Sequence, residues 1–157
     1  KRAFRKAKIF VYVSRHVVGR KKRLNEEKMM NTLVEQMKAQ DWKKRKVAVE
    51  DYMDIVMKRV KKAREKKDNF AIKWGYAVFE KNVAPLLSDD NWWVRKAVVA
   101  GCLRLASDDA AKIRSILQPK MLTEPSYQAR YAATNTILKI SHTEVQSDKE
   151  GRETLIR

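Results

Sequence analysis

The sequence predicts an all-α protein, and three observations lead there. Only 4 Gly and 3 Pro punctuate 157 residues, too few turn-formers for a fold of many short strands. Apolar residues recur at helical spacing through most of the chain, while no segment holds a strand-like alternation. Residues that favour N-caps stand where several of these helical patterns begin. The apolar share of 44% suffices for one ordinary domain with a core.

The elements follow in order. Residues 2–19 place Phe4, Ala7, Phe10, Val11, Ser14, Val17 and Val18 at helical spacing, with Arg5, Lys8 and Arg15 off that stripe. The β-branched run from Ile9 to Val13 leaves a strand open there. Gly19 closes the segment, and residues 20–23 form a solvated basic turn. The next helix is expected to start from Asn25 as N-cap, with Glu26 and Glu27 in its first turn, where the helix dipole favours them. Met29, Met30, Leu33, Val34 and Met37 make its apolar face. Asp41 caps a helix carrying Trp42, Ala48, Val49, Tyr52, Ile55, Val56 and Val60 on one side. The charged run from Lys61 to Asp68 is either the end of that helix or a loop.

A further helix from Asn69 has Phe70, Trp74, Ala77, Val78 and Phe79 as apolar residues, and Pro85 kinks or shortens its last turn. Asp90 or Asn91 caps a helix from Trp92 to Ala106, whose polar residues Arg95, Lys96 and Arg104 form no single face. A helix apolar almost all round needs cover on several sides. Within it, Gly101 costs roughly 1 kcal/mol and so marks a close crossing. Trp92 and Trp93 point about 100° apart, which predicts one in the core and the other near the surface. A shorter helix spans Asp108 to Leu117, Pro119 and Pro125 bracket a turn, and the last helix carries Tyr127, Tyr131, Ala132, Ile137, Leu138 and Ile140. From His142 the tail is polar and expected to be partly helical or frayed.

Three of these helices share a pattern of an aromatic, then Arg45, Arg95 or Arg130, then small residues and bulky aliphatics. Each follows another apolar-faced helix, so 25–39 pairs with 41–62, 69–87 with 91–106, and 108–121 with 125–141. The fold expected is a short α-solenoid of about three antiparallel helix pairs with a basic N-terminal helical arm. Its divisions are the arm (1–24), a repeat domain (25–141) and a polar C-terminal tail (142–157). The segment "LLSDDNWWVRKAVVAGCLRLA" resembles the HEAT/armadillo-like class of helical repeats, which have units of about 40–47 residues. HEAT units typically place an acidic residue in the turn, then Val-Arg, then an Ala-rich second helix. Asp89 or Asp90, Val94 with Arg95, and Ala97 to Ala100 fill those places. The resemblance implies that Asp90 pairs with Arg95 in a ladder between units, with Asp41–Arg45 and Glu124–Arg130 as looser equivalents.

Net charge is +17, and it is unevenly placed. Residues 1–67 hold 23 Lys/Arg against 8 Asp/Glu, a net of +15, and the remaining residues hold 13 against 11, a net of +2. Such an imbalance points to a polyanionic partner. Three basic patches carry it: Lys1, Arg2, Arg5, Lys6, Lys8, Arg15, Arg20, Lys21, Lys22 and Arg23; then Lys43, Lys44, Arg45 and Lys46; then Lys58, Arg59, Lys61, Lys62, Arg64, Lys66 and Lys67. With Phe4, Phe10, Tyr12 and Trp42 interleaved, RNA or a ribonucleoprotein within a larger assembly is the first partner expected, read through backbone and shape. The alternative is a scaffold on an acidic protein surface such as a cytoskeletal or microtubule assembly. A more remote one is the helical-repeat DNA alkylation-repair glycosylases, which use tryptophans and an aspartate; Asp89, Asp90, Trp92 and Trp93 invite that comparison. A calmodulin-like target helix at 1–19 and a transit peptide rank below these.

No enzyme, cofactor or metal is expected. Cys102 is a lone thiol and His16 and His142 stand far apart, so no zinc-ligand spacing occurs. A single cysteine makes an intracellular, reducing compartment the default. No apolar run reaches the ~20 residues of a membrane span. A chain beginning on Lys1 is expected to be part of something larger.

Overall fold

The structure, a computed structural model, describes residues 24–107, 109–123 and 125–155. The basic arm lies outside the described residues, apart from position 24. Helix α1 covers residues 24–36. It is followed by α2 (Trp42–Glu65), α3 (Asn69–Asn82), a short 3-10 turn (Ala84–Ser88), α4 (Trp92–Ala106), α5 (Ala110–Thr123) and α6 (Tyr127–Leu155). No strand occurs among the described residues, so the fold is all-α.

Several helix starts are written in the sequence. Asp41 accepts from the Lys43 amide at 2.9 Å, Asp68 from Ala71 at 3.0 Å, and Asn91 from Trp93 at 2.9 Å. Each cap satisfies one of the amides that the first helical turn leaves open. Asn25 is not a cap, because the helix already includes Leu24 and nothing at that position stops it. The charged run after Lys61 continues the helix as far as Glu65; Lys67 then turns in the left-handed region at φ 54°, and Asp68 opens α3. Pro85 acts as expected: α3 stops at Asn82 and the chain turns through the 3-10 segment.

Two boundaries differ from expectation. Pro119 lies inside α5 instead of bracketing a turn. Both Pro119 and Ser115, whose carbonyl loses its amide partner, are exposed, so water can replace that bond. The last helix also runs through the expected tail to Leu155, for no residue from His142 to Glu150 breaks a helix.

Apolar faces of α1 to α6 meet in one core, from Met30, Leu33 and Met37 through Tyr52, Phe79 and Leu87 to Ile113, Leu117 and Ile140. Helix α2 packs against α3 and α4, α4 packs against α5 and α6, and α5 lies along α6. Two ion pairs define how α2 and α4 run. Arg45, near the start of α2, grips Asp89 and Asp90 just before α4, and Asp54 pairs at 2.8 Å with Arg104. Asp54 and Arg104 lie equally deep in their helices, so the two run side by side in the same direction. Gly101 sits where a Cβ would meet the Met53 side chain at 3.0 Å, which is the close crossing its sequence position implied. At matching depths, Val94, Val98, Gly101 and Leu105 of α4 and Ala129, Ala133, Thr136 and Ile140 of α6 are buried, and α4 buries Arg95, Ala97, Cys102 and Ala106 besides.

Candidate polyanion interface

The basic candidates of α2 divide by helical phase. Lys43, Lys44, Lys58, Lys61, Lys62, Lys66 and Lys67 are exposed. No ion pair among the described residues engages Lys58, Lys61, Lys62, Lys66 or Lys67, and Glu65 is the one acid within residues 58–67. Lys46 is half-buried and pairs with Glu50 at 2.8 Å. The Arg59 guanidinium lies over the Trp74 ring, 3.9 Å from its centroid, and Arg64 is half-buried beside the Tyr76 hydroxyl at 3.5 Å. Between the two basic stretches, the same exposed side of α2 carries Glu50, Asp51 and Asp54. The patches are therefore separated by an acidic band rather than joined. A groove of about 490 Å³ between α1 and α2 has Met29 and Ile55 among its walls and Lys58, Arg59, Lys62 and Glu26 at its sides.

Arg45 must be removed from the exposed set. Its side chain is only 12% exposed, and its Nε and Nη2 donate to the two Asp89 carboxylate oxygens at 2.7 and 2.8 Å. Nη2 also donates to Asp90 at 2.6 Å. Hydrogen bonding to Asp89 is the main influence raising the Arg45 pKa further. Burial pushes the Asp89 carboxyl up, but hydrogen bonds from Arg45 and the Asn91 amide outweigh it and hold the acid below the usual carboxylate value. The phase of the helix reveals Arg45: it precedes Ala48, Val49 and Tyr52 by three, four and seven residues, on the buried side.

This geometry also replaces the expected Asp90–Arg95 pair. Arg95 Nη1 donates to the carbonyls of Asp89 and Asp90 at 2.6 and 2.9 Å. Arg45 Nη1 does the same to Ala39 and Gln40 at 3.0 and 2.8 Å, and Arg130 Nη1 to Pro125 at 2.8 Å. The three arginines that share a sequence position thus tie down their own preceding turns. Arg45 also reaches beyond its own turn, to Asp89 and Asp90 just before α4.

Neither tryptophan of the Trp-Trp pair is core. Trp92 is 53% exposed and Trp93 46%, with the Lys96 ammonium 5.2 Å from the Trp93 ring centroid. Cys102 is fully buried, and that burial pushes its thiol up to about 12, far from a reactive thiolate. No cluster of metal-ligand residues occurs among the described residues, and no helix there is long and apolar enough to cross a membrane. Comparison with protein-family models, curated proteins and solved structures returned no match.

Proposed function

We propose that the protein is a non-enzymatic scaffold of HEAT-like helix pairs that holds a polyanion, RNA first among the candidates, on the far end of α2. The observation that carries this is the cluster of Lys58, Lys61, Lys62, Lys66 and Lys67, exposed and without described acidic partners. Lysines at a helix C-terminus also ease the helix dipole, but that effect accounts for one or two of them, not five. The recurring Arg clamps and the parallel packing of α2 and α4 support the repeat reading. Against a catalytic Asp89 stands its carboxylate, both oxygens of which accept from Arg45.

The test is binding of the chain to single-stranded RNA across a salt series. Replacing the five lysines by Gln should weaken binding and reduce the log–log salt slope by up to about 3.5, from roughly 0.7 per phosphate contact on a single strand. An unchanged slope would sink the assignment. A pull-down with and without nuclease separates the acidic-protein alternative, because such a partner stays bound after nuclease and leaves with salt.

A further inference from the structure

Helices α2, α4 and α6 run in one direction. Asp54 with Arg104 sets α4 parallel to α2. Near the end of α4, Leu103 and Ala106 share a cavity with Lys139, Ile140 and Thr143. The turn before α4 also packs against α6, whose described buried residues run back from Ile140 to Ala129, so α6 is parallel to α4. Counted from the clamp arginines, Trp42, Trp92 and Tyr127 then hold one shared position, three residues before Arg45, Arg95 and Arg130. Four residues on, Lys46, Lys96 and Tyr131 hold another.

That first position faces outward. Trp92 is 53% exposed although α2 and α6 both pack against α4, and Tyr127 is 69% exposed. Trp42 is half-buried, with part of its ring against the core. Tyr131 is exposed and stacks on Tyr127 at 6.4 Å between centroids. Ammonium groups stand beside the other rings: Lys43 lies 5.9 Å from the Trp42 centroid, and Lys96 5.2 Å from that of Trp93. Lys43, Lys44 and Lys96 are exposed, and no ion pair among the described residues engages them. The acids nearby are already taken up, Asp89 and Asp90 by Arg45 and Asp41 by the Lys43 amide.

Rings recurring once per helix pair, with free cations between them, match a chain that alternates flat bases and phosphates. Neighbouring helices lie about 8–10 Å apart, wider than rings in direct contact, which leaves room for a base beside each ring. One base per helical repeat is also how other repeat proteins meet single-stranded RNA. A partner helix would need an unbroken apolar stripe, and Lys46 and Lys96 interrupt it on two of the three helices.

We infer that the row Trp42, Trp92 and Tyr127 stacks the bases of single-stranded RNA, about one per repeat, with Lys43, Lys44 and Lys96 on the phosphates between them. The inference rests on the polyanion reading above and adds what a lysine cluster lacks, a means of telling a single strand from a duplex, whose bases are already stacked.

The probes are a short dye-labelled oligouridylate, the same strand paired with its complement, and an abasic sugar-phosphate chain of equal length, each titrated with the full chain. The oligouridylate should quench tryptophan emission and the abasic chain should not. Trp92→Ala and Tyr127→Ala should each weaken oligouridylate binding by about 5- to 150-fold, with the salt slope unchanged because no phosphate contact is lost. Trp92→Phe should keep most of the affinity, and Phe70→Ala, on an exposed site of α3, all of it. Melting temperatures should match the parent, as these rings are exposed. Binding indifferent to both ring variants, or equally tight to the duplex, overturns the inference and leaves the lysine cluster standing. An equal loss on the abasic chain overturns it too. So do phosphatidylserine vesicles that bind the parent but not Trp92→Ala while RNA binding is unchanged in that variant, which assigns the rings to a lipid surface. Ring-dependent binding that ignores the lysine-cluster substitutions would sink the cluster alone, and a parent that binds none of the RNA probes sinks both.

Discussion

Asp89 is the residue on which the joint between α2 and α4 turns. Its carboxylate is 5% exposed and fully taken up by Arg45 and the Asn91 amide. Removing one member of a buried pair strands the other, at about 3–5 kcal/mol. Asp89→Ala and Arg45→Ala should each destabilise the fold by that order in urea unfolding, and the double variant should cost less than their sum. A pH dependence follows with a definite sign. The folded pKa of Asp89 lies below the unfolded value of about 3.9. Its contribution is complete above that value and drains away as pH falls through the lower folded one. Asp89→Asn should therefore flatten the acid limb of the stability curve below about pH 4.

At the scale of the element, glycines test how helices fit. A Cβ on Gly75 would collide with a methyl of buried Val60, whereas on Gly101 it meets the flexible Met53 side chain at 3.0–3.3 Å. Helix propensity favours Ala at both by up to about 1 kcal/mol. Val60 is stiff at χ1 and fixed in the core, so Gly75→Ala should lose about 1–3 kcal/mol net by overpacking. Met53 can shift, and Gly101→Ala should be within about 1 kcal/mol of neutral by thermal melting.

Elements were the most legible part of the sequence, because caps, periodicity and Pro85 act locally. What was not legible depended on which way a residue faces. Pro119 looks like a helix stop until its exposed side is known, and residues 43–46 look like one basic patch until helical phase turns Arg45 inward. The sequence shows Tyr131 and Leu138 only as apolar residues of the last helix, and the packing of α6 leaves both exposed. The equivalence of Arg45, Arg95 and Arg130 was visible in the sequence, but its use, clamping backbone carbonyls, was not.

For the whole molecule, charge and apolar surface are parted. Lysine ammonium groups crowd the end of α2, an uncharged stripe marks α6, and an acidic band of Glu50, Asp51 and Asp54 divides the basic stretches of α2. RNA binding through the lysine cluster should fall steeply as salt is raised from 50 to 500 mM, a range of roughly tenfold, and binding that holds across the series would count against phosphate contacts.

Helix α2 has 24 residues and α4, its parallel neighbour, only 15. At 1.5 Å per residue the longer helix overreaches by about 13 Å. That overhang ends in Lys66 and the left-handed Lys67, exposed between two capped helices. A serine protease that cuts after lysine meets exposed backbone there, between two helices and with no helix to unravel first. Limited trypsin digestion should nick the described residues of the native chain at Lys66 or Lys67, leaving fragments that stay associated through the shared core and the Arg45–Asp89 bridge. A polyanion seated on α2 would hide the same bond, so the time to that cut becomes a clock for occupancy.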